Sequence, residues 1–114
     1  MSVETSVRIK ILLVEDERSW RKDFQDALKS APNIQVVATA ENGQQALNYL
    51  MDDTIAINLV IMDYELDDNS LWGVELAVRI LKKNPKMKMI FWSAHIAYMD
   101  VERAKRAGVH GYIQ

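Results

Sequence analysis

Short apolar runs recur along this chain, and amphipathic helical patterns separate them. Residues 11–14, 59–62 and 89–92 are runs of four apolar side chains, which suits strands that are buried on both faces. Strands that alternate with helices of roughly ten residues form right-handed βαβ units, and such units build a parallel sheet with helices on both sides. The pattern therefore predicts one α/β domain with a doubly wound parallel sheet.

The alternation predicts five strands and four helices. The strands are expected at residues 8–14, 34–40, 58–62 and 87–92, with a fifth beginning at 111–113. The helices are expected from Ser19 to Pro32, around residues 46–50, over 74–81 and within 97–107. Trp20 and Phe24 fall on the apolar stripe of the first helix. We expect them to face the core, with an exposed docking surface as the alternative.

The composition is that of an ordinary globular domain. The chain has 114 residues, 49% of them hydrophobic and 26% charged, which supports one core. Its 14 Lys+Arg against 16 Asp+Glu exclude a strongly basic nucleic-acid-binding protein, although a partner domain that binds DNA stays open. The chain has no cysteine, which excludes a disulfide scaffold, a Cys-ligated zinc site and a thiol nucleophile. With neither a membrane-length apolar run nor a signal sequence, we expect a cytoplasmic protein.

Acidic side chains follow two of the predicted strands, and a hydroxyl follows a third. Glu15, Asp16 and Glu17 come after the first strand, Asp63 after the third and Ser93 after the fourth. Because ligands of open α/β sheets bind at the carboxyl ends of the strands, we expect these groups to lie together. Oxygen ligands without His or Cys favour Mg2+, and an aspartate beside that ion can accept a phosphoryl group. One such acid is more often a helix N-cap or part of a solvated loop, but agreement at three strand ends favours a site.

These motifs resemble those of the receiver domains of two-component response regulators. The resemblance is carried, in the family's order, by LLVEDE at 12–17, LVIMD at 59–63, SA at 93–94 and AGVHGYI at 107–113. It implies a five-stranded flavodoxin-like receiver fold over residues 8–114, with residues 1–7 as an N-terminal tail. It also implies a phosphoprotein of two-component phosphorelay signalling that switches protein interactions. Apart from its own phosphorylation and dephosphorylation, such a domain is not an enzyme.

The resemblance also assigns roles in phosphoryl transfer and switching. It makes Asp63 the residue that accepts a phosphoryl group from a sensor histidine kinase. It makes the Ser93 hydroxyl a hydrogen-bond donor to that group, and Tyr112 the aromatic side chain whose orientation follows the switch.

A magnesium site is implied by the same resemblance. Asp16 is matched to the direct Mg2+ ligand, Glu15 to the acid that helps to hold the ion, and Asp63 to the shared phosphoacceptor. Glu65 is matched to the position that provides a backbone carbonyl. Glu15 stands where the family more often has Asp, a change that the family tolerates.

The end of the sequence departs from the family pattern. The family has a lysine two residues after the position of Ile113, whereas this sequence ends at Gln114. We therefore expect a C-terminally truncated receiver domain whose final helix is missing. An output domain beyond Gln114 and a homodimer are two open hypotheses for what covers the sheet. We expect no direct contact with nucleic acid or with a membrane.

Two other functions stay open on the sequence. A receiver-like domain that serves interaction or dimerisation without phosphorylation has no need of clustered carboxylates. A Mg2+-dependent phosphohydrolase with an aspartyl nucleophile would use Glu65 as general acid, but no cap domain fits within 114 residues. A nucleotide-binding fold is disfavoured because residues 15–17 are not a glycine-rich phosphate loop.

Overall fold

Strands and helices alternate in the computed structural model, which describes residues 8–63, 73–92, 102 and 105–113. The strands are β1 (Ile9–Val14), β2 (Ile34–Ala40), β3 (Leu59–Asp63), β4 (Lys88–Trp92) and β5 (Gly111–Ile113). The helices are α1 (Arg18–Lys29), α2 (Gly43–Leu50) and α3 (Gly73–Lys83). Residues 102 and 105–107 are also helical, within the span predicted for a fourth helix. Across these described segments, no helix is both long and apolar enough to cross a membrane.

The strands form one sheet in the order β2-β1-β3-β4-β5, and each neighbouring pair is parallel. The predicted α/β fold with a parallel sheet is therefore confirmed. The first four strands have five to seven residues, whereas β5 is described over three residues only. The strand order reverses between β1 and β3, and a doubly wound sheet binds its ligands at such a reversal.

Both faces of the sheet carry apolar side chains, as the four-residue runs predicted. Along β1, Leu12 and Val14 join the core beneath α2 and α3, whereas Ile11 and Leu13 join the core on the side of α1. This alternation follows from the two-residue repeat of a strand. Burial on both faces fixes the strand register, because a slip by one residue would exchange the faces of every side chain.

Trp20 does not lie in the core. The residue is 47% exposed, so the expectation that it faces the core is wrong. Phe24, one turn later in α1, is half-buried. The rings of Trp20 and Phe24 both pack against Trp92 at the end of β4, with centroid distances of 5.3 and 5.8 Å. Trp20 stands in the first turn of α1, where one side of its indole contacts Trp92 and much of the rest meets solvent.

The start of β5 is bound to β4 by the His110 side chain, which accepts a hydrogen bond from the backbone of Met89. Gly108 has a φ of 91°, a left-handed conformation that favours glycine, and it turns the chain just before β5. The backbone N–H of His110 donates to the Met89 carbonyl at 2.9 Å. In return, the Met89 N–H donates to His110 Nδ1 at 3.2 Å. The imidazole thus extends the β4–β5 ladder by one hydrogen bond.

We expect His110→Ala to loosen the pairing of β5 with β4. The substitution leaves the Met89 N–H without this acceptor, which costs about 1–2 kcal/mol for a partly buried donor. His110→Asn is the matched control, because its side-chain oxygen can accept the same hydrogen bond. Amide exchange at Met89 and urea unfolding measure the effect, and equal behaviour of the Ala and Asn variants would contradict the assignment.

Candidate metal centre

Three carboxyl groups converge where the strand order reverses. One carboxylate oxygen from each of Glu15, Asp16 and Asp63 lies within 4.8 Å of the oxygens from the other two. The register explains the convergence: Val14 of β1 pairs with Met62 of β3, so the next residues, Glu15 just after β1 and Asp63 at the end of β3, lie side by side. Glu15 is 1% exposed, whereas Asp16 and Asp63 are half-buried. The cluster therefore has one buried member and two members within reach of solvent.

Glu15 is held by its backbone as well as its side chain. Its N–H donates to the Ala40 carbonyl at 2.9 Å, which continues the pairing with β2 past the end of β1. Its Oε2 accepts a 2.9 Å hydrogen bond from the backbone N–H of Glu17, at the N-terminus of α1. Across the described part of the chain, no hydrogen-bond donor reaches Oε1.

Burial raises the pKa of the Glu15 carboxyl from its ordinary 4.5 to about 8. The loss of solvent is the largest cause, and the N–H of Glu17 opposes it. The charge of Asp63 and side-chain contacts with Asp16 and Asp63 raise the pKa further. Carboxyl groups in such contact need a proton or a cation between them, because like charges at this separation disfavour ionisation.

The donor set fits Mg2+. All three groups are carboxylates, the hard oxygen ligands that Mg2+ and Ca2+ prefer, and no His or Cys belongs to the cluster. The buried Glu15 Oε1, which lacks a donor among the described residues, is an oxygen to which a cation can bind directly or through water. A divalent cation would also remove the electrostatic cause of the raised pKa.

The third acid of the first loop, Glu17, does not join the cluster. It is the N-cap residue of α1, and its exposed side chain accepts a 2.9 Å hydrogen bond from the Ser19 hydroxyl. Its contribution to the site is the backbone N–H that binds Glu15. Glu17 thus matches the alternative to a site, an N-cap position or a solvated loop, although its side chain makes no hydrogen bond that caps the helix.

The side chains of the remaining predicted site residues lie outside the part of the chain that the structure describes. Ser93 and Glu65 lie outside the described residues. Tyr112 belongs to β5 by its backbone, while its side chain falls outside the description. Trp92 does end β4 directly opposite Asp63, so the residue before Ser93 is next to the acid cluster.

Sequence reasoning missed Arg21. Its guanidinium contacts the backbone of Glu15 and the carboxylate of Glu41, which follows β2. The available signal was a basic residue one helical turn after the acidic run at 15–17. That spacing does not distinguish a side chain that turns back to the loop from one that points to solvent.

The unfolding free energy of the metal-free protein should fall as pH rises from 4.5 towards 8. Because the pKa of Glu15 is raised on folding, the protonated folded form is favoured below 4.5, and this stabilisation is lost as pH rises through about 8. The slope from this group is at most about 1.4 kcal/mol per pH unit. Saturating Mg2+ should reduce the fall, since the ion neutralises the ionised carboxylate.

Urea unfolding of wild type and Glu15→Gln across this pH range measures the effect. Subtracting the two profiles isolates Glu15 from the other titrating groups. Asp53→Asn removes an exposed carboxyl outside the cluster and should leave the profile parallel to that of wild type. A Glu15→Gln profile that is also parallel to wild type would show that Glu15 is ionised throughout.

Comparison with known proteins identifies relatives along most of the sequence. The family model described as the response regulator receiver domain matches residues 11–114. The response regulator protein VraR of Staphylococcus aureus (strain NCTC 8325 / PS 47) is 31% identical over 105 residues, covering 92% of this chain and 48% of VraR. VraR of Staphylococcus epidermidis (strain ATCC 12228 / FDA PCI 1200) is 30% identical over the same length. The chain thus spans about half the length of the curated relatives that it matches.

Solved structures share the fold. A two-component response regulator of the LuxR family from Aurantimonas sp. SI85-9A1 gives a TM-score of 0.83 at 24% identity, covering 92% of this chain and 72% of that one. The signal receiver domain of NarL from Mycobacterium tuberculosis gives a TM-score of 0.81 at 21% identity. The match covers 93% of this chain and 82% of that one. At these identities the likeness shows the fold alone. The family itself follows from the sequence match over residues 11–114: the chain belongs to the response regulator receiver domains of two-component systems.

Proposed function

We propose that this domain accepts a phosphoryl group on Asp63 in a Mg2+-dependent reaction and thereby switches its interactions with other proteins. The observation that carries the proposal is the meeting of Glu15, Asp16 and Asp63 within 4.8 Å, at the reversal of strand order. A domain that served for packing or dimerisation alone would gain nothing from this arrangement, because burial of Glu15 among like charges is unfavourable.

In the proposed site, Glu15, Asp16 and Asp63 hold Mg2+, with the backbone carbonyl of Glu65 as a further ligand. When bound, the ion neutralises negative charge on the carboxylates and on the phosphoryl oxygens. The buried Glu15 supports this role because its Oε2 is already fixed by the Glu17 N–H, leaving Oε1 for the ion or a water bound to it. Asp16 and Asp63 are half-buried, so a donor can reach the site from solvent.

In the proposed reaction, a carboxylate oxygen of Asp63 attacks the phosphorus of a phosphohistidine on the sensor kinase. An O–P bond forms while the P–N bond breaks, and the electron pair of that bond stays on the imidazole nitrogen. A proton on the other ring nitrogen makes the leaving group neutral imidazole. The product is an aspartyl phosphate on Asp63. Hydrolysis later returns the carboxylate and inorganic phosphate, so the domain catalyses both its own phosphorylation and its own dephosphorylation.

The switch is proposed to run through Ser93 and Tyr112. The Ser93 hydroxyl donates a hydrogen bond to a phosphoryl oxygen, and Tyr112 in β5 changes orientation with it. The position of Trp92 supports the link, because Trp92 directly precedes Ser93 and pairs with Asp63 across the sheet. Phosphorylation then shifts the balance between two arrangements by the difference in their contacts with the phosphoryl group.

The proposed partners are a sensor histidine kinase and an output domain that reads the phosphorylated state. The VraR relatives are about twice as long as the segment they share with this chain, which supports an output domain. A homodimer is the second means by which the switch can act. We propose no direct contact of this domain with nucleic acid or with a membrane.

Treatment with Mg2+ and acetyl phosphate, a small phosphodonor, should add one phosphoryl group, detected by intact-protein mass spectrometry. The adduct should be lost on treatment with hydroxylamine, which cleaves acyl phosphates. Asp63→Asn should abolish the adduct because an amide is not a phosphoryl acceptor, and chelation of Mg2+ by EDTA should prevent its formation. Asp53→Asn, which changes an exposed aspartate outside the cluster, should be labelled like wild type.

Different results would select the other candidate functions. Absence of both Mg2+ binding and the adduct would favour an interaction domain that works without phosphorylation. Repeated turnover of phosphomonoesters would instead indicate a phosphohydrolase. An adduct that persists in Asp63→Asn would place the acceptor elsewhere and contradict the proposed chemistry.

A further inference from the structure

Arg21 connects three segments at the edge of the sheet that carries the acid cluster. It lies in α1, and its Nη1 donates to the backbone carbonyl of Glu15, six residues earlier, at 2.8 Å. Its Nη2 faces Glu41 Oε1, just after β2, at 3.5 Å. The side chain of Arg21 is 13% exposed, against 61% for Glu41. The short hydrogen bond to Glu15 is therefore the less exposed of the two contacts. The longer, exposed ion pair with Glu41 contributes little to stability.

The hydrogen bond from Arg21 to the Glu15 carbonyl is the third hydrogen bond that restrains Glu15. Its N–H is bound to Ala40, its carbonyl to Arg21, and its Oε2 to the N–H of Glu17. The backbone N–H of Arg21 donates to the Glu17 carbonyl at 3.0 Å, so Arg21 lies one helical turn after Glu17. A charged donor makes a stronger hydrogen bond than a neutral one. Glu15 thus leaves β1 in one backbone orientation.

We propose that Arg21 is a positioning residue for the metal centre: by binding the Glu15 carbonyl, it holds the Glu15 carboxyl against those of Asp16 and Asp63. The inference rests on the proposed function for its Mg2+ ligands. Arg21 does not itself belong to the ligand set. Its planar, permanently charged fork suits two acceptors at once, and a lysine ammonium provides the charge without the fork.

Arg21 can affect Mg2+ binding through its hydrogen bond to Glu15 or through its positive charge. These two effects predict opposite changes in Mg2+ affinity when Arg21 is replaced. A cation near the acid cluster repels Mg2+, so removal of its charge alone should strengthen metal binding. Loss of the hydrogen bond to Glu15 should weaken binding, because the carboxyl must then be ordered when the metal binds. The direction of the change in Mg2+ dissociation constant therefore separates the two roles.

Mg2+ titrations of the whole chain, followed by tryptophan fluorescence or calorimetry, compare wild type with Arg21→Lys and Arg21→Gln. We expect both variants to bind Mg2+ about tenfold more weakly, the lower end of the effect of outer-shell partners. Wild-type affinity in Arg21→Lys, or tighter binding in Arg21→Gln, would overturn the positioning role. Circular dichroism verifies that each variant is folded before titration.

A second measurement needs no metal. The Glu17 N–H donates to Glu15 Oε2, so its amide exchange reports how firmly that carboxyl is held. In metal-free protein we expect faster exchange at Glu17 in both Arg21 variants. Unchanged exchange would overturn the proposal. Wild-type protein that binds no Mg2+ would refute the proposed function, and the exchange result would still decide the role of Arg21.

Two control variants separate the Glu15 contact from other charges on and near α1. Glu41→Gln removes the exposed partner of Arg21 and keeps the bond to Glu15. Lys22→Gln removes the exposed ion pair with Asp26 on the same helix. Both controls should retain wild-type Glu17 exchange and bind Mg2+ within about twofold of wild type. A tenfold loss in Glu41→Gln would assign the effect to the Glu41 pair and overturn the role of the Glu15 carbonyl.

Discussion

Repulsion among three carboxyl groups is the constraint around which this edge of the domain is organised. The parallel register of β1 and β3 places Glu15 beside Asp63, and burial of Glu15 raises its pKa to about 8. Apolar cores on both faces of the sheet hold that register, so the acids cannot separate without loss of packing. A proton stabilises this arrangement at low pH. Under the proposed function, a divalent cation would do so at higher pH, and Asp63 would then accept the phosphoryl group.

The sheet and the acid cluster could both be predicted from the sequence, because each depends on backbone geometry that is common to all parallel sheets. Apolar runs marked the strands, and β2 was predicted with its observed bounds, Ile34–Ala40. The meeting of Glu15, Asp16 and Asp63 followed from their positions after two strands, since carboxyl ends of parallel strands share one edge. No detail of side-chain packing was needed for either prediction.

Side-chain direction could not be predicted in the same way. Glu17 follows the same strand as Glu15, yet it lies at the N-cap position of α1 with an exposed side chain that makes no cap hydrogen bond. Trp20 lies on the apolar stripe of α1, but its place in the first turn leaves it against Trp92, and the residue is 47% exposed. Arg21 turns back to the Glu15 carbonyl, a contact that depends on how α1 lies over the sheet.

Paramagnetic relaxation by Mn2+, which substitutes for Mg2+ at oxygen sites, shows whether Glu15, Asp16 and Asp63 bind one divalent cation together. In two-dimensional NMR spectra, substoichiometric Mn2+ should broaden the amide signals around Glu15, Asp16 and Asp63, and excess Mg2+ should restore them. Broadening spread equally over exposed acids such as Asp52 and Asp53, without reversal by Mg2+, would contradict this expectation. It would mean that the convergent carboxylates do not form a specific metal centre.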